Sequence, residues 1–218
     1  FTAGTFRGRL RDLFDRFHDC DRIDSRFSMT PLHAMRPLLF SLLLATSLHA
    51  ADKKPFTLPG MRHDIEFAQA GGESLTLDAF VPEGEGPFAA CILVHGGGFT
   101  KGDKQSFIVP LFEPLAKTGF AWFTINYRLA PQHAWPACAE DVNTAIRWVK
   151  AHAAEYKVDP ARIALIGESA GGHLVSWAGV TAEADTRVAA RALLRHPGYA
   201  LPAACASNGD GCWLGCRR

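Results

Sequence analysis

Several functions are excluded by what the sequence lacks. Of 218 residues, 23 are Lys or Arg and 22 are Asp or Glu, a formal net charge of +1. No broad field draws in nucleic acid, and no Lys/Arg block interleaved with aromatics is present to track a phosphate backbone. No nucleic-acid partner is expected. The apolar stretch from Leu38 to Leu48 falls short of the about 20 residues that a bilayer-spanning helix needs, so no stable membrane span is expected either. Cysteine is sparse and scattered (Cys20, Cys91, Cys138, Cys205, Cys212, Cys216). The last three cluster, but their spacing matches no common zinc pattern and no paired histidines accompany them, so no metal is expected. An oxidising compartment would allow disulfides among them. No internal repeat is visible.

What is present suits one globular domain: 48% of the residues are hydrophobic and 11% aromatic. Residues 1–34, rich in Arg and Asp without a clean apolar face, read as a leader outside the working domain. Residues 35–50 run from a short basic start (Met35, Arg36) through the apolar stretch to small residues, the pattern of a secretory signal peptide cleaved after Ala50. Export, periplasmic or extracellular, is the expectation. Residues 51–188 read as the N-terminal part of the catalytic domain, and 189–218 as an atypical tail.

Within 51–188, 63–69 and 74–82 read as a β-hairpin, and 88–99 as a short strand buried on both faces that ends in three glycines. Residues 105–119 have helical apolar spacing broken by Pro110 and Pro114. A buried strand follows at 120–127. A helix over 136–158 places Val142, Ile146 and Val149 on one face. Residues 161–167 form another buried strand, and a helix starts after Ser169. Alternation of strand and helix implies an α/β fold, a mostly parallel sheet with helices on both faces.

Gly167-Glu168-Ser169-Ala170-Gly171 fits G-x-S-x-G in its required context, strand before and helix after. So tight a turn needs neighbours without bulk, and it holds the serine in strained geometry with its hydroxyl above the sheet. The following helix aims its first amides at the same spot, favouring a developing negative charge. A phosphate cradle fails on spacing, because "GESAGG" has neither the lysine of a P-loop nor the second glycine of G-x-G-x-x-G. Roughly 70 residues upstream, "HGGGF" (95–99) closes a buried strand, where glycine amides can approach an oxyanion closely. His95 reads as shaping that loop rather than as an acid or base.

With both motifs placed, the sequence resembles the α/β-hydrolase superfamily, in particular the hormone-sensitive-lipase-like and feruloyl-esterase-like (BD-FAE-like) carboxylesterases. The resemblance runs through "HGGGFTKGDK" (95–104), "NYRLAPQHAWPACAEDV" (126–142) and "YKVDPARIALIGESAGGHL" (156–174) and covers residues 63–188. It implies that Ser169 is the nucleophile and that the backbone amides of Gly97, Gly98 and Ala170 form the oxyanion hole. His95, Gly96, Gly102 and Asp103 belong to the loop that supports the glycine turn. Arg128 and Asp141 read as structural, and Phe99, Trp135 and Trp177 as the border of an acyl pocket or as plain packing. The substrate it implies is a small-molecule ester, and hydrolysis needs no cofactor.

The pattern breaks downstream. In this fold the acid and then the histidine follow the serine, and the 218-residue chain leaves 49 residues after Ser169. Residues 189–218 show no β-branched run, so the C-terminal strands read as missing. His196 and Asp210 come in reversed order with no strand to place them, and neither triad partner is assignable. A truncated or frame-shifted reading of a longer gene is the expectation. The sequence supports a serine carboxylic-ester hydrolase acting through an acyl-enzyme; the rival is a catalytically incomplete remnant or a non-catalytic binding module.

Overall fold

The computed structural model describes Gly8, Arg9 and residues 55–194. The signal-like segment 35–50, most of the leader, His196, Asp210 and the three clustered cysteines lie outside the described residues. Among the described residues six strands form one sheet: β1 (Arg62–Ala70), β2 (Glu73–Phe80), β3 (Phe88–Val94), β4 (Ala121–Ile125), β5 (Val158–Glu168) and β6 (Ala190–Leu194), in the order β1-β2-β4-β3-β5-β6. The β1–β2 and β2–β4 pairs are antiparallel, while β3–β4, β3–β5 and β5–β6 are parallel. The sheet is thus mixed and mainly parallel, as the alternating pattern required.

Among the described residues three α-helices cover it: α1 (Phe112–Lys117), α2 (Ala137–Ala151) and α3 (Ala170–Val180). Side chains alternate across the strands, and each face builds its own core. Leu77, Ile92, Phe123, Ile125 and Leu165 pack with Val142, Ile146 and Val149 of α2 and Leu174 and Val175 of α3. On the other face Cys91, Leu93, Trp122 and Ile166 meet Phe112 and Leu115 of α1. Parallel strands covered on both sides are apolar almost throughout, which explains "FAACILV" in β3, buried at every position after Phe88.

Two local expectations need correction. The helix anticipated over 105–119 is confined to Phe112–Lys117 behind a 3-10 turn at Val109–Leu111. Pro110 and Pro114 each lack an amide proton and are tolerated only in a first turn, so a long helix cannot form through both. The second correction concerns the chain after Val188, where residues 190–194 do form a strand, β6, parallel to β5. The missing β-branched residues misled because strand propensity reflects packing on neighbours rather than backbone preference. Here α3 presents glycines to β6: a Cβ at Gly172 would sit 3.7 Å from that of Leu193, and one at Gly179 would press on the Arg191 guanidinium. Alanine and long flexible side chains fill so close an approach.

Candidate active site

The ends of two adjacent parallel strands bring the two glycine motifs together. Val94, the last residue of β3, is in register with Gly167 of β5, so "HGGGF" and "GESAGG" leave the same edge of the sheet side by side. At Ser169 the backbone turns with φ 48° and ψ −111°, a conformation that costs a non-glycine residue on the order of 1–3 kcal/mol. It survives because the surroundings allow no other path. A Cβ at Gly171 would overlap the carbonyls of Val94 and His95, and a Cβ at Gly96 would overlap the Glu168 carboxylate. Backbone therefore lies against backbone where α3 begins, and Ser169 is left exposed at the corner. Among the described residues its hydroxyl has no hydrogen-bond partner; its carbonyl accepts from the His173 amide at 3.2 Å.

The glycine loop faces this corner. Gly97 and Gly98 have φ of 110° and 64°, and nothing stands within 4 Å of a Cβ built on Gly98, so the turn is open on that side. Ala170, first residue of α3, is buried; its amide belongs to the first turn, whose N–H groups lack intrahelical acceptors. His95 is 1% exposed. Its Nδ1 lies 2.7 Å from the Gly96 carbonyl, which assigns the ring proton to Nδ1, and its ring stacks on Tyr127 at 4.2 Å. Burial pushes its pKa below the ordinary histidine value. Gly102 packs against the His95 ring. Asp103 makes local turn bonds, accepting from the Ser106 hydroxyl at 2.8 Å and the Gln105 amide at 2.9 Å.

Arg128 and Asp141 form an ion pair. The guanidinium Nη2 is 2.7 Å from Asp141 Oδ1, Nε is 2.9 Å from Oδ2, and the Arg128 amide also donates to Oδ2 at 2.8 Å. This fixes the start of α2 against the segment leaving β4. Phe99, Trp135 and Trp177 cluster with His173 of α3: Trp135 meets Trp177 edge-on at 5.3 Å, and Phe99 meets His173 at 5.8 Å. Trp135 is 52% exposed, an unusual position for so large a ring unless the surface is used.

Sequence reasoning did not single out Tyr127, whose hydroxyl donates to the His95 carbonyl at 3.0 Å and fastens the root of the glycine loop. It also missed Glu168, buried against Gly96. Both lie inside quoted motifs, in "NYRLAP" and "GESAGG", but only the packing shows what they touch. Among the described residues no cluster of His, Cys, Asp or Glu could hold a metal ion, and no helix there is long and apolar enough to cross a membrane.

A mainly parallel sheet with a strained serine between strand and helix defines an α/β-hydrolase fold of the esterase type. The same relationship appears in solved structures. A thermophilic esterase of the planctomycete Thermogutta terrifontis, Est2 with butyrate bound, matches with a TM-score of 0.54 and 30% identity over 62% of this chain and 53% of that one. Esterase 2 of Thermogutta terrifontis phosphorylated by paraoxon matches with a TM-score of 0.53 and 29% identity over 63% and 57%. Among curated relatives, "Probable carboxylic ester hydrolase LipM" of Mycobacterium tuberculosis is 45% identical over 107 residues, 44% of this chain and 25% of that protein. The family model described as BD-FAE matches residues 77–196, more than half of the chain, which belongs to that family. The chain spans about a quarter of the length of the curated relatives it matches and about half that of the solved esterases.

Proposed function

We infer that this chain carries the nucleophile half of a serine carboxylic-ester hydrolase working through an acyl-enzyme. The observation that carries the reading is the backbone at Ser169, a residue held at positive φ and exposed beside an open glycine turn. In this mechanism Ser169 Oγ attacks the ester carbonyl carbon as its proton passes to a base. The oxyanion rests on the amides of Gly97, Gly98 and Ala170, which need no reorganisation because the loop is already packed. Collapse breaks the bond to the alcohol, which leaves with a proton, and water then releases the acid. His95, buried and with its pKa pushed down by desolvation, shapes the loop rather than acting as acid or base. Phe99, Trp135 and Trp177 border the acyl group.

The base and its carboxylate are assigned to no described residue. His173, the histidine that follows Ser169 among them, sits on α3 itself. Without a base, the oxyanion hole and binding alone leave roughly 10³- to 10⁴-fold acceleration over water. The second reading, a non-catalytic remnant, draws on the Ser169 hydroxyl, which has no hydrogen-bond partner among the described residues.

The test uses p-nitrophenyl acetate turnover and a fluorophosphonate probe; phosphorylation of the related Est2 by paraoxon motivates the probe. Covalent labelling at Ser169, with labelling and turnover both lost in Ser169→Ala, supports the hydrolase. A folded, monodisperse sample that does not label supports the remnant. Export through residues 35–50 is a separate proposal, checked by sequencing the N-terminus of protein recovered outside the cytoplasm.

A further inference from the structure

A carboxylate stands where the fold alone would favour a hydrocarbon. Asp78 lies in the middle of β2, fully buried, among the equally buried Leu75, Leu77 and Ala79. Donors from separate segments converge on it. The Asp64 amide donates to Oδ1 at 3.0 Å, the Gln105 side-chain amide to Oδ2 at 2.8 Å, His63 Nδ1 stands 3.1 Å from Oδ2, and the Lys104 ammonium lies 3.4 Å from Oδ1. The first of these contacts needs an irregular strand: β1 breaks register between Arg62 and Ile65, and Asp64 has φ 54°. Such a bulge re-aims side chains, here turning His63 and the Asp64 amide onto Asp78.

Lys104 is gripped on every side. Its amide donates to Asn126 Oδ1 at 2.7 Å, its carbonyl accepts from the Thr124 hydroxyl, and its ammonium reaches Asp64 Oδ1 at 2.5 Å and Thr76 Oγ1 at 3.3 Å. Asp78 pairs with Thr124 across β2 and β4, and the Asn126 side chain donates to Thr76 at 3.1 Å. Thr76, Asp78, Thr124 and Asn126 therefore form a polar ladder on one sheet face. Further from the active-site edge, that face becomes apolar at Phe80 and Trp122, which stack at 5.7 Å. The ladder thus occupies only the end of the sheet from which the glycine loop departs.

We propose that the Asp78–Lys104 network is the clamp that positions the glycine turn, making Lys104 and Asp78 positioning residues for the oxyanion hole. Buried ion pairs are weak sources of stability but can select one geometry among several, and that choice of geometry accounts for a charge in β2. The loop is thereby held at three points: Tyr127 on the His95 carbonyl, the Ala130 amide on the Phe99 carbonyl at 2.8 Å, and the Lys104 anchor. Gly97 packs on the Lys101 carbonyl and Gly102 on His95, so movement at 104 passes to the turn through backbone contact. The catalytic consequence rests on the serine-hydrolase reading; the mechanical one does not.

The experiment compares the full chain with Lys104→Met, Lys104→Arg and Asp78→Asn, measuring the fluorophosphonate labelling rate and amide hydrogen exchange over 100–106. Lys104→Met should label at least tenfold more slowly, with exchange over 100–106 accelerated at least tenfold and the central strands unchanged. Lys104→Arg, keeping the charge, should recover most of both. If the parent chain labels and Lys104→Met labels within twofold of it, the positioning role is overturned. If the parent chain does not label, the hydrolase reading fails, and exchange alone decides the clamp: unchanged protection over 100–106 refutes it. Should Lys104→Met not fold, Asp78→Asn, which keeps the volume, gives the same readout with the same refuting outcome.

Discussion

Replacing Gly171 by alanine sets two effects of opposite sign against each other. Gly171 is the second residue of α3, and alanine is favoured over glycine in helices by about 1 kcal/mol, less in a first turn. Against that, the new methyl would overlap two backbone carbonyls, those of Val94 and His95. Neither rotates away freely, because Val94 is paired on both sides within the sheet, to Ile125 and to Gly167, and the His95 carbonyl accepts from the Tyr127 hydroxyl. Overpacking of this kind costs about 1–3 kcal/mol, and with backbone as the obstacle the upper part of that range applies. The net expectation is a loss of about 1–2 kcal/mol. In urea, with a slope of about 2 kcal/mol/M, the midpoint falls by about 0.5–1 M. If α3 relieves the overlap by shifting about 1 Å from the glycine loop, labelling at Ser169 slows by about 100-fold. Gly172→Ala is the internal control, because its Cβ would meet Gly167 O at 3.2 Å and the Leu193 side chain at 3.6 Å. That contact is tight but tolerable, so helix propensity should leave its midpoint near the parent's. Equal midpoints and equal labelling rates for the two variants would refute the claim that Gly171 is required by close approach.

Other perturbations test separate parts of the structure. Asp141→Ala removes the carboxylate from a guanidinium that is only 13% exposed and should cost about 3 kcal/mol in urea unfolding; a loss below about 0.5 kcal/mol would show the pair to be idle. Ser169→Gly relieves the positive φ and should be about 1 kcal/mol more stable than Ser169→Ala, the glycine's entropy offsetting part of the strain; equal stabilities would argue against a strained corner. The buried His95, with a pKa below the ordinary value of about 6.5, binds its proton more weakly folded than unfolded. Its contribution to stability is therefore complete above about pH 6.5 and falls as pH drops through that value toward the lower folded-state pKa. Unfolding free energies of the parent and His95→Gln, measured between about pH 7.5 and about pH 5, should show a shallower acid loss in the variant; identical slopes would contradict the burial argument. Trp135→Ala should raise KM for aryl esters about five- to tenfold with little change in kcat, as expected for an edge-on aromatic contact of about 1 kcal/mol, whereas a loss confined to kcat would remove Trp135 from the binding surface.

The sequence alone determined the alternation of strand and helix, the corner at Ser169 and the glycine turn after β3. Each depends on local chemistry: apolar runs that suit doubly covered strands, and glycines where no side chain fits. It also placed Val142, Ile146 and Val149 on the buried face of α2, since helical periodicity is a local property. Only the tertiary structure decided that β3 and β5 are neighbours in register at Val94 and Gly167, which brings two separate motifs side by side. It likewise decided that Ala190–Leu194 makes a strand, because glycines on α3 provide the space, and that Asp78 lies beneath Lys104, 26 residues away in the chain. A buried carboxylate in a strand and a lysine in a loop carry no periodicity that links them. Their pairing depends on which strands meet across the sheet, and that is settled by how the whole chain packs.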